Sequence, residues 1–448
     1  NEDGSIEAAD GIALTDTKKT LQIVDGTAEE ATLTANLINL DGSITWSSNK
    51  PSIVTVTENG TTATIKAVAA GTATITASCS GKSATCEVTV KQIKYASSLT
   101  IKGETEVAEG GTINLTVEQG NNGNEEIEWS VDDTSKATVV AKEGTGGNSA
   151  IVTGKKQGTT ATITAKAKNS GTKTTATITV TAPAFANYTW QEINALAKEI
   201  AKDSTITKDT EGPVTKTING KSYTATVGAK KTITIDEKDY TVRILGFNHD
   251  TLADGQTAYG DASITKAGIS FEFETLLPRA KMNSSYTNLG GWGASLMRTN
   301  LNSTTAVDGM KNLSNIESVI GSNIIKSVTK SYIKTYNNAG SVTTCNDKLW
   351  LLACSEIWNN GDNGDGTYGG AKASEGDQYK YYADINATYT SSNPKLYKMH
   401  QGSTSSSGWW LRSPIDIVST SFCYVDNNGS CNAFTAITTY GVAPGFAI

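Results

Sequence analysis

The sequence predicts a multidomain chain, two small all-β sandwiches followed by one larger α+β domain. Three observations predict it. A motif-bearing stretch recurs within the first 182 residues. Both copies alternate apolar and polar residues with period two, the pattern of half-buried strands. Beyond Pro183 capped helical segments appear among the strand-like runs. The length of 448 residues suits two to four domains.

The first domain is expected over 12–93, after a short tail (1–11), and the second over 94–182. Ile44-Thr45-Trp46-Ser47 recurs as Ile127-Glu128-Trp129-Ser130. Gly71-Thr72-Ala73-Thr74-Ile75-Thr76-Ala77 recurs within Gly158–Ala165. Each copy ends on a further alternating run, Cys86–Val90 or Ala176–Val180. A period of about 85 residues is too long for a solenoid unit and fits an independent sandwich. In the third domain, 183–448, Thr189-Trp190-Gln191-Glu192 reads as a capping box opening a helix over about 190–202. A second box, Ser314–Glu317, opens a helix whose apolar face is Ile316, Val319, Ile320, Ile324, Ile325 and Val328. Lys231–Ile235 and Tyr240–Leu245 read as strands.

Composition narrows the chemistry. Lys and Arg total 38 against 45 Asp and Glu, a net charge of −7, which argues against nucleic-acid binding. Two histidines, His249 and His400, exclude multi-histidine metal sites. No apolar run reaches the ~18 residues of a membrane span. The chain opens on acidic and small residues, so no signal peptide is expected ahead of Asn1. The six cysteines fall into three local pairs, seven to nine residues apart. Cys79 and Cys86 flank a turn-like run and are a candidate disulfide; two buried thiols without a bond fit the spacing equally. No CxxC occurs, which makes zinc a weak expectation.

Trp46-Ser47-Ser48-Asn49-Lys50-Pro51-Ser52-Ile53-Val54-Thr55-Val56, followed by Gly71–Ala77, resembles the bacterial Ig-like domain of group 2. The second copy is looser, with Asp132–Ala137 in place of the Asn-Pro run. Such domains are mostly spacers on surface proteins, which implies core roles for Trp46 and Trp129.

In the third domain four strings occur in order. They are Ile244–Asp250, Asn346–Leu352, Trp409-Trp410-Leu411-Arg412-Ser413-Pro414, and Tyr440-Gly441-Val442-Ala443-Pro444-Gly445-Phe446. Together they resemble a domain of unknown function found on surface proteins of gut Firmicutes and their phages. That domain is similar to the C-type-lectin-like fold of diversity-generating retroelement variable proteins. The resemblance implies a C-terminal variable region, about 409–446, whose side chains line a ligand-binding face. Residues 415–440 contain no Lys, Glu, Gln, Met or Trp. Those are the five types that a codon ending in a pyrimidine cannot encode, as adenine-directed mutation of Asn codons would leave. A polar strand pair can lack them through strand preference alone.

The implied contact set is Ile415, Asp416, Val418, Thr420, Tyr424, Asp426, Asn427, Asn432, Phe434, Ile437 and Thr438. Its mixture of Tyr, Asn, Ser, Thr and aliphatics is that of a paratope. Trp409, Trp410, Arg412 and Phe446 are expected to support it from the core, Arg412 by pairing with a carboxylate. The expected function is noncovalent capture of a protein or glycan ligand, with no cofactor and no metal. The expected setting is extracellular, on a bacterial surface or a phage virion. Three weaker signals stand beside it. Asn359–Gly366 has the residues of a calcium loop without its spacing. His249 beside Asp250 could serve acid–base chemistry. Cys345 and Cys354 could suit an enzyme on a formylglycine-generating scaffold, by fold analogy alone.

Overall fold

The computed structural model describes residues 10–253, 258–334, 342–358, 375–388, 392–415 and 418–448. The chain divides into two compact units, Asn1–Thr181 and Ala182–Ile448.

The first unit holds two sandwiches. In the first, a sheet ordered Thr27–Ala28, Lys18–Val24, Lys82–Ile93, Gly71–Cys79, Thr45–Ser48 faces one ordered Gly11–Leu14, Glu30–Ile38, Thr62–Ala67, Val54–Asn59. Alternate residues of both sheets, among them Leu21, Leu33, Ile65, Ile75 and Val88, fill a single core. The second sandwich is built likewise from Leu99–Gly103 onward, with Leu115, Val152, Ile163 and Ile178 at its centre. Each sandwich closes on its tryptophan. Trp46 donates its indole N–H to the Gly60 carbonyl at 3.2 Å, and Trp129 donates to that of Gly147 at 2.6 Å. Gly147 must be glycine. Its φ is +80° and a Cβ would lie 2.1 Å from the Ile127 carbonyl oxygen.

The candidate Cys79–Cys86 disulfide does not form, and both thiols are free and buried. The hairpin turns tightly at Ser80–Gly81, pairing Cys79 with Lys82 and Cys86 with Ile75. Cys86 therefore sits opposite a residue four positions from Cys79, about 13 Å along the strand. A disulfide spans at most about 7 Å between Cα atoms.

The second unit is built on two mainly antiparallel sheets. One is ordered Lys230–Ile235, Lys238–Phe247, Ile269–Phe273, Pro444–Ala447, Leu349–Leu351. The other is ordered Met399–His400, Thr275–Lys281, Thr439–Val442, Trp409–Pro414, Ser421–Val425, Cys431–Thr435. The chain end is thus an interior strand, and Phe446 stacks on Phe271 with ring centroids 5.1 Å apart. Trp190–Lys202 is a helix, capped by Thr189 and Glu192 as the sequence indicates. Its buried face is Trp190, Ile193, Leu196, Ala197 and Ile200.

The second helix corrects the expected one. It spans Leu313–Ile320, is capped two residues earlier, at Asn312, and stops at Gly321, where φ is +117°. Ile324 and Ile325 are buried in the turn beyond it, and Val328 begins a strand. Gly321-Ser322-Asn323 breaks the helix while the apolar series continues, because each residue still reaches the core by a different backbone route.

Thr189→Ala should lower unfolding stability by about 1 kcal/mol through loss of the cap. The second unit's urea midpoint reads it, and an unchanged midpoint would show the cap to be idle.

Candidate ligand-binding face and its buried frame

The strand Trp409–Pro414 is buried at all six positions. Arg412 explains how a cation can stand in it. Its guanidinium donates to the carbonyls of Ser331 at 3.1 Å and Leu351 at 2.8 Å, and to the Glu375 carbonyl. It also pairs with the Glu356 carboxylate at 2.5 Å. The other Glu356 oxygen meets Lys330 at 2.5 Å, and Lys330 meets Asp250 at 2.7 Å. Asp250 also accepts from the Ser270 and Tyr379 hydroxyls. Burial opposes ionisation of both carboxyls. Lys330 and His249 outweigh it at Asp250, and Arg412 and Lys330 at Glu356, so both are held low.

On this frame an aromatic series runs outward. Trp410 is fully buried and donates its indole N–H to the Ala280 carbonyl at 2.9 Å. Tyr440 meets it edge-on at 5.0 Å and stacks on Tyr424 at 4.3 Å. Phe434 packs edge-on against both tyrosines and is itself 47% exposed. A second exposed apolar group lies near the start of the segment. Val418 is 41% exposed, and its backbone is pinned by the buried Asn288. The Asn288 carboxamide donates to the carbonyls of Ile415, Val418 and Ser421 at 2.9–3.0 Å. Its amide N–H bonds the Ser419 carbonyl at 2.8 Å. Asn288 lies between Tyr286 and Leu289, which are 64% and 59% exposed.

The expected contact residues divide. Val418, Phe434 and Asn427 are exposed, and Thr420, Asn432, Ile437 and Thr438 are half-buried. Ile415 is a correction: it packs in the core beneath Trp409, Leu411 and Cys423 and presents nothing to a ligand. Tyr424 is also buried, as a prop for Phe434. Asp426 spends one carboxylate oxygen on the amides of Asn428 and Ser430, fixing the hairpin turn. Asp416 and the calcium-like Asn359–Gly366 lie outside the described residues. Trp409, Trp410, Arg412 and Phe446 have no exposed surface. Tyr286, Asn288 and Leu289 are not legible in the sequence, where they form an ordinary polar loop.

The residues that suggested catalysis are fixed by neighbours. His249 stacks on Tyr379 at 3.9 Å, lies 3.5 Å from Asp250, and meets the Asp377 carbonyl at 3.1 Å. The Cys345 thiol lies 3.2 Å from an Asp347 oxygen. Burial and that carboxylate push it up to about 12, away from the thiolate a nucleophile needs. Cys354 belongs to a different group, with Cys423 and Cys431.

Residues 268–448 match a family described as a domain of unknown function (DUF6273). No curated protein matches the chain. Among solved structures, domains 4 and 5 of the S-layer protein SbsC align at 24% identity over 31% of this chain and 77% of that one, with a TM-score of 0.17. Tandem Ig repeats of Dlar align at 17% identity over 39% and 100% of the two chains, TM-score 0.17. Titin domains I67–I69 align at 13% identity over 41% and 70%, TM-score 0.23. Among the described residues, no helix is long and apolar enough to cross a membrane.

Asp250→Asn leaves Lys330 short of one anion in a dry site and should cost about 3 kcal/mol at neutral pH. Asp250 is depressed in the folded state, so its contribution is present above the unfolded value of about 4 and is lost as pH falls through the lower folded value. Urea unfolding between pH 2 and 7, a range set by those values, should show a shallower acid limb in the variant. Parallel curves would refute the pairing.

Proposed function

We propose that the chain is a surface-displayed receptor or adhesin. Ig-like sandwiches act as the spacer, and the C-type-lectin-like second unit presents a noncovalent ligand face built on 415–440. The observation that carries this reading is Phe434. It is a large aromatic side chain held in the open on an edge strand by two tyrosines and the buried Trp410. A rigid, exposed aromatic gives contact area at little entropic cost. Val418, Tyr286 and Leu289 add exposed apolar surface where Asn288 joins the two loops. The fixed surroundings of His249 and Cys345 favour binding over catalysis.

The sequence of 415–440 supports diversification as the source of the face. The gene neighbourhood tests it. A reverse transcriptase and an adenine-rich near-copy of the 409–446 codons are expected. Identical 415–440 sequences across a population, with neither element present, would leave an invariant adhesin. The setting we propose is extracellular, on a bacterial surface or a phage virion.

Exchanging the side chains at 418, 427, 434 and 437 for other pyrimidine-codon types should change which glycans or surface proteins an array captures. Phe434→Ala alone should weaken capture about tenfold, the loss of one anchor. The melting temperature should stay within about 2 °C, since these side chains lie outside the core. Unchanged capture, or loss of cooperative unfolding, would refute the assignment of this face.

A further inference from the structure

A local cysteine pair and one cysteine distant from it in sequence meet in the second unit. The Sγ atoms of Cys354, Cys423 and Cys431 all lie within 4.8 Å of one another. None of the three is in a disulfide. Cys354 and Cys423 are buried, and Cys431 is half-buried. They come from three separate elements. Cys354 opens the short helix Cys354–Ile357, Cys423 lies in Ser421–Val425, and Cys431 begins Cys431–Thr435.

The strand register sets the geometry. Cys423 pairs with Ala433 and Cys431 with Val425, so the two cysteines are diagonal neighbours on one face. Diagonal Cα atoms are about 7–8 Å apart. A disulfide prefers about 5.5–6 Å, so this pair is poorly placed for one. Any disulfide to Cys354 would strand the third thiol. A cation uses all three. Zn–S bonds of about 2.3 Å in a tetrahedron put sulfurs roughly 3.8 Å apart, a contraction of about 1 Å at most from the observed limit.

The backbone around Cys354 is already fixed. Its amide donates to Ser413 Oγ at 2.9 Å, and Ser413 in turn bonds the Glu375 carboxyl. Hydrogen bonds of this kind orient metal ligands. Among the described residues, no fourth His, Cys, Asp or Glu joins the group.

We propose that Cys354, Cys423 and Cys431 bind one divalent zinc-class cation as three thiolates, with water in the fourth position on the half-exposed Cys431 side. Each thiol gives up its proton to solvent, and no electrons move. The cation ties the strand pair of the ligand face to the helix beneath it. The inference does not depend on what that face binds.

The test uses the full chain, purified under reductant and loaded with Zn²⁺ or Co²⁺ alone. About one metal per chain should survive gel filtration. Cobalt should give thiolate charge-transfer absorption. Cys431→Ser should reduce retention at least about tenfold, as loss of one of three thiolates requires. Cys345→Ser, outside the group, should retain it. Peptide mass spectrometry gives a readout without variants: zinc should protect the half-buried Cys431 from alkylation and a chelator should restore its labelling. No retained metal with no protection would overturn the proposal. So would a disulfide joining two of the three in chain isolated without reductant.

Discussion

The second unit depends on keeping Arg412 neutralised inside a strand with no exposed surface. A lone buried guanidinium is unaffordable in a dry core, so the surrounding fold is arranged around its partners. Glu356 answers it directly, Lys330 answers the other Glu356 oxygen, and Asp250 answers Lys330. Two cations and two anions balance. Glu375 is the fifth group, and burial pushes it up to about 7 despite Arg412 and Ser413.

A second buried pairing repeats the logic at the other side of the unit. Glu272 sits between Arg243 at 2.5 Å and Lys398 at 2.9 Å and accepts from the Tyr382 hydroxyl. Burial brings Lys398 down to about 8, even beside Glu272. Lys398 also lies 4.9 Å from the Trp409 ring centroid and donates to the Phe273 carbonyl. The Trp-Trp-Leu-Arg strand is therefore gripped from two directions by ions that can satisfy their charge in only one arrangement. Such pairs add little net stability over apolar packing, yet removing either partner leaves a buried charge uncompensated.

Period and caps were legible in the sequence because they are local. The sandwiches follow from alternation around Trp46 and Trp129, and the helix Trp190–Lys202 from Thr189 and Glu192. The apolar series 316–328 misled because Ile324, Ile325 and Val328 stay buried after Gly321 breaks the helix, while Val319, expected on the same face, is 37% exposed. Cys79 and Cys86 misled because spacing does not specify where a turn falls, and a turn at Ser80–Gly81 puts them out of register. Segment 415–440 was marked by composition, but its inward and outward positions depend on the bulge between Trp410 and Pro414. Asn288 and the cysteine group were illegible: each gathers partners more than 65 residues away in sequence.

The strand Cys431–Thr435 is the outermost of its sheet and has a single neighbour. An edge strand of this kind should fray, and under the proposed function Phe434 must be steady to serve as an anchor. The ends supply the steadiness. Asp426 fixes the turn before it through two amides, and Cys431 lies in the thiol group. Beyond the strand, the Thr435 and Thr438 hydroxyls meet at 3.1 Å and the Thr438 amide bonds the Thr435 carbonyl. Between these fastenings Tyr424 and Tyr440 are the aromatic partners of Phe434 among the described residues. A side chain held at both ends of its strand and propped from below can change identity without asking the core to repack. The edge position, a liability in most sheets, is what leaves Phe434 47% exposed.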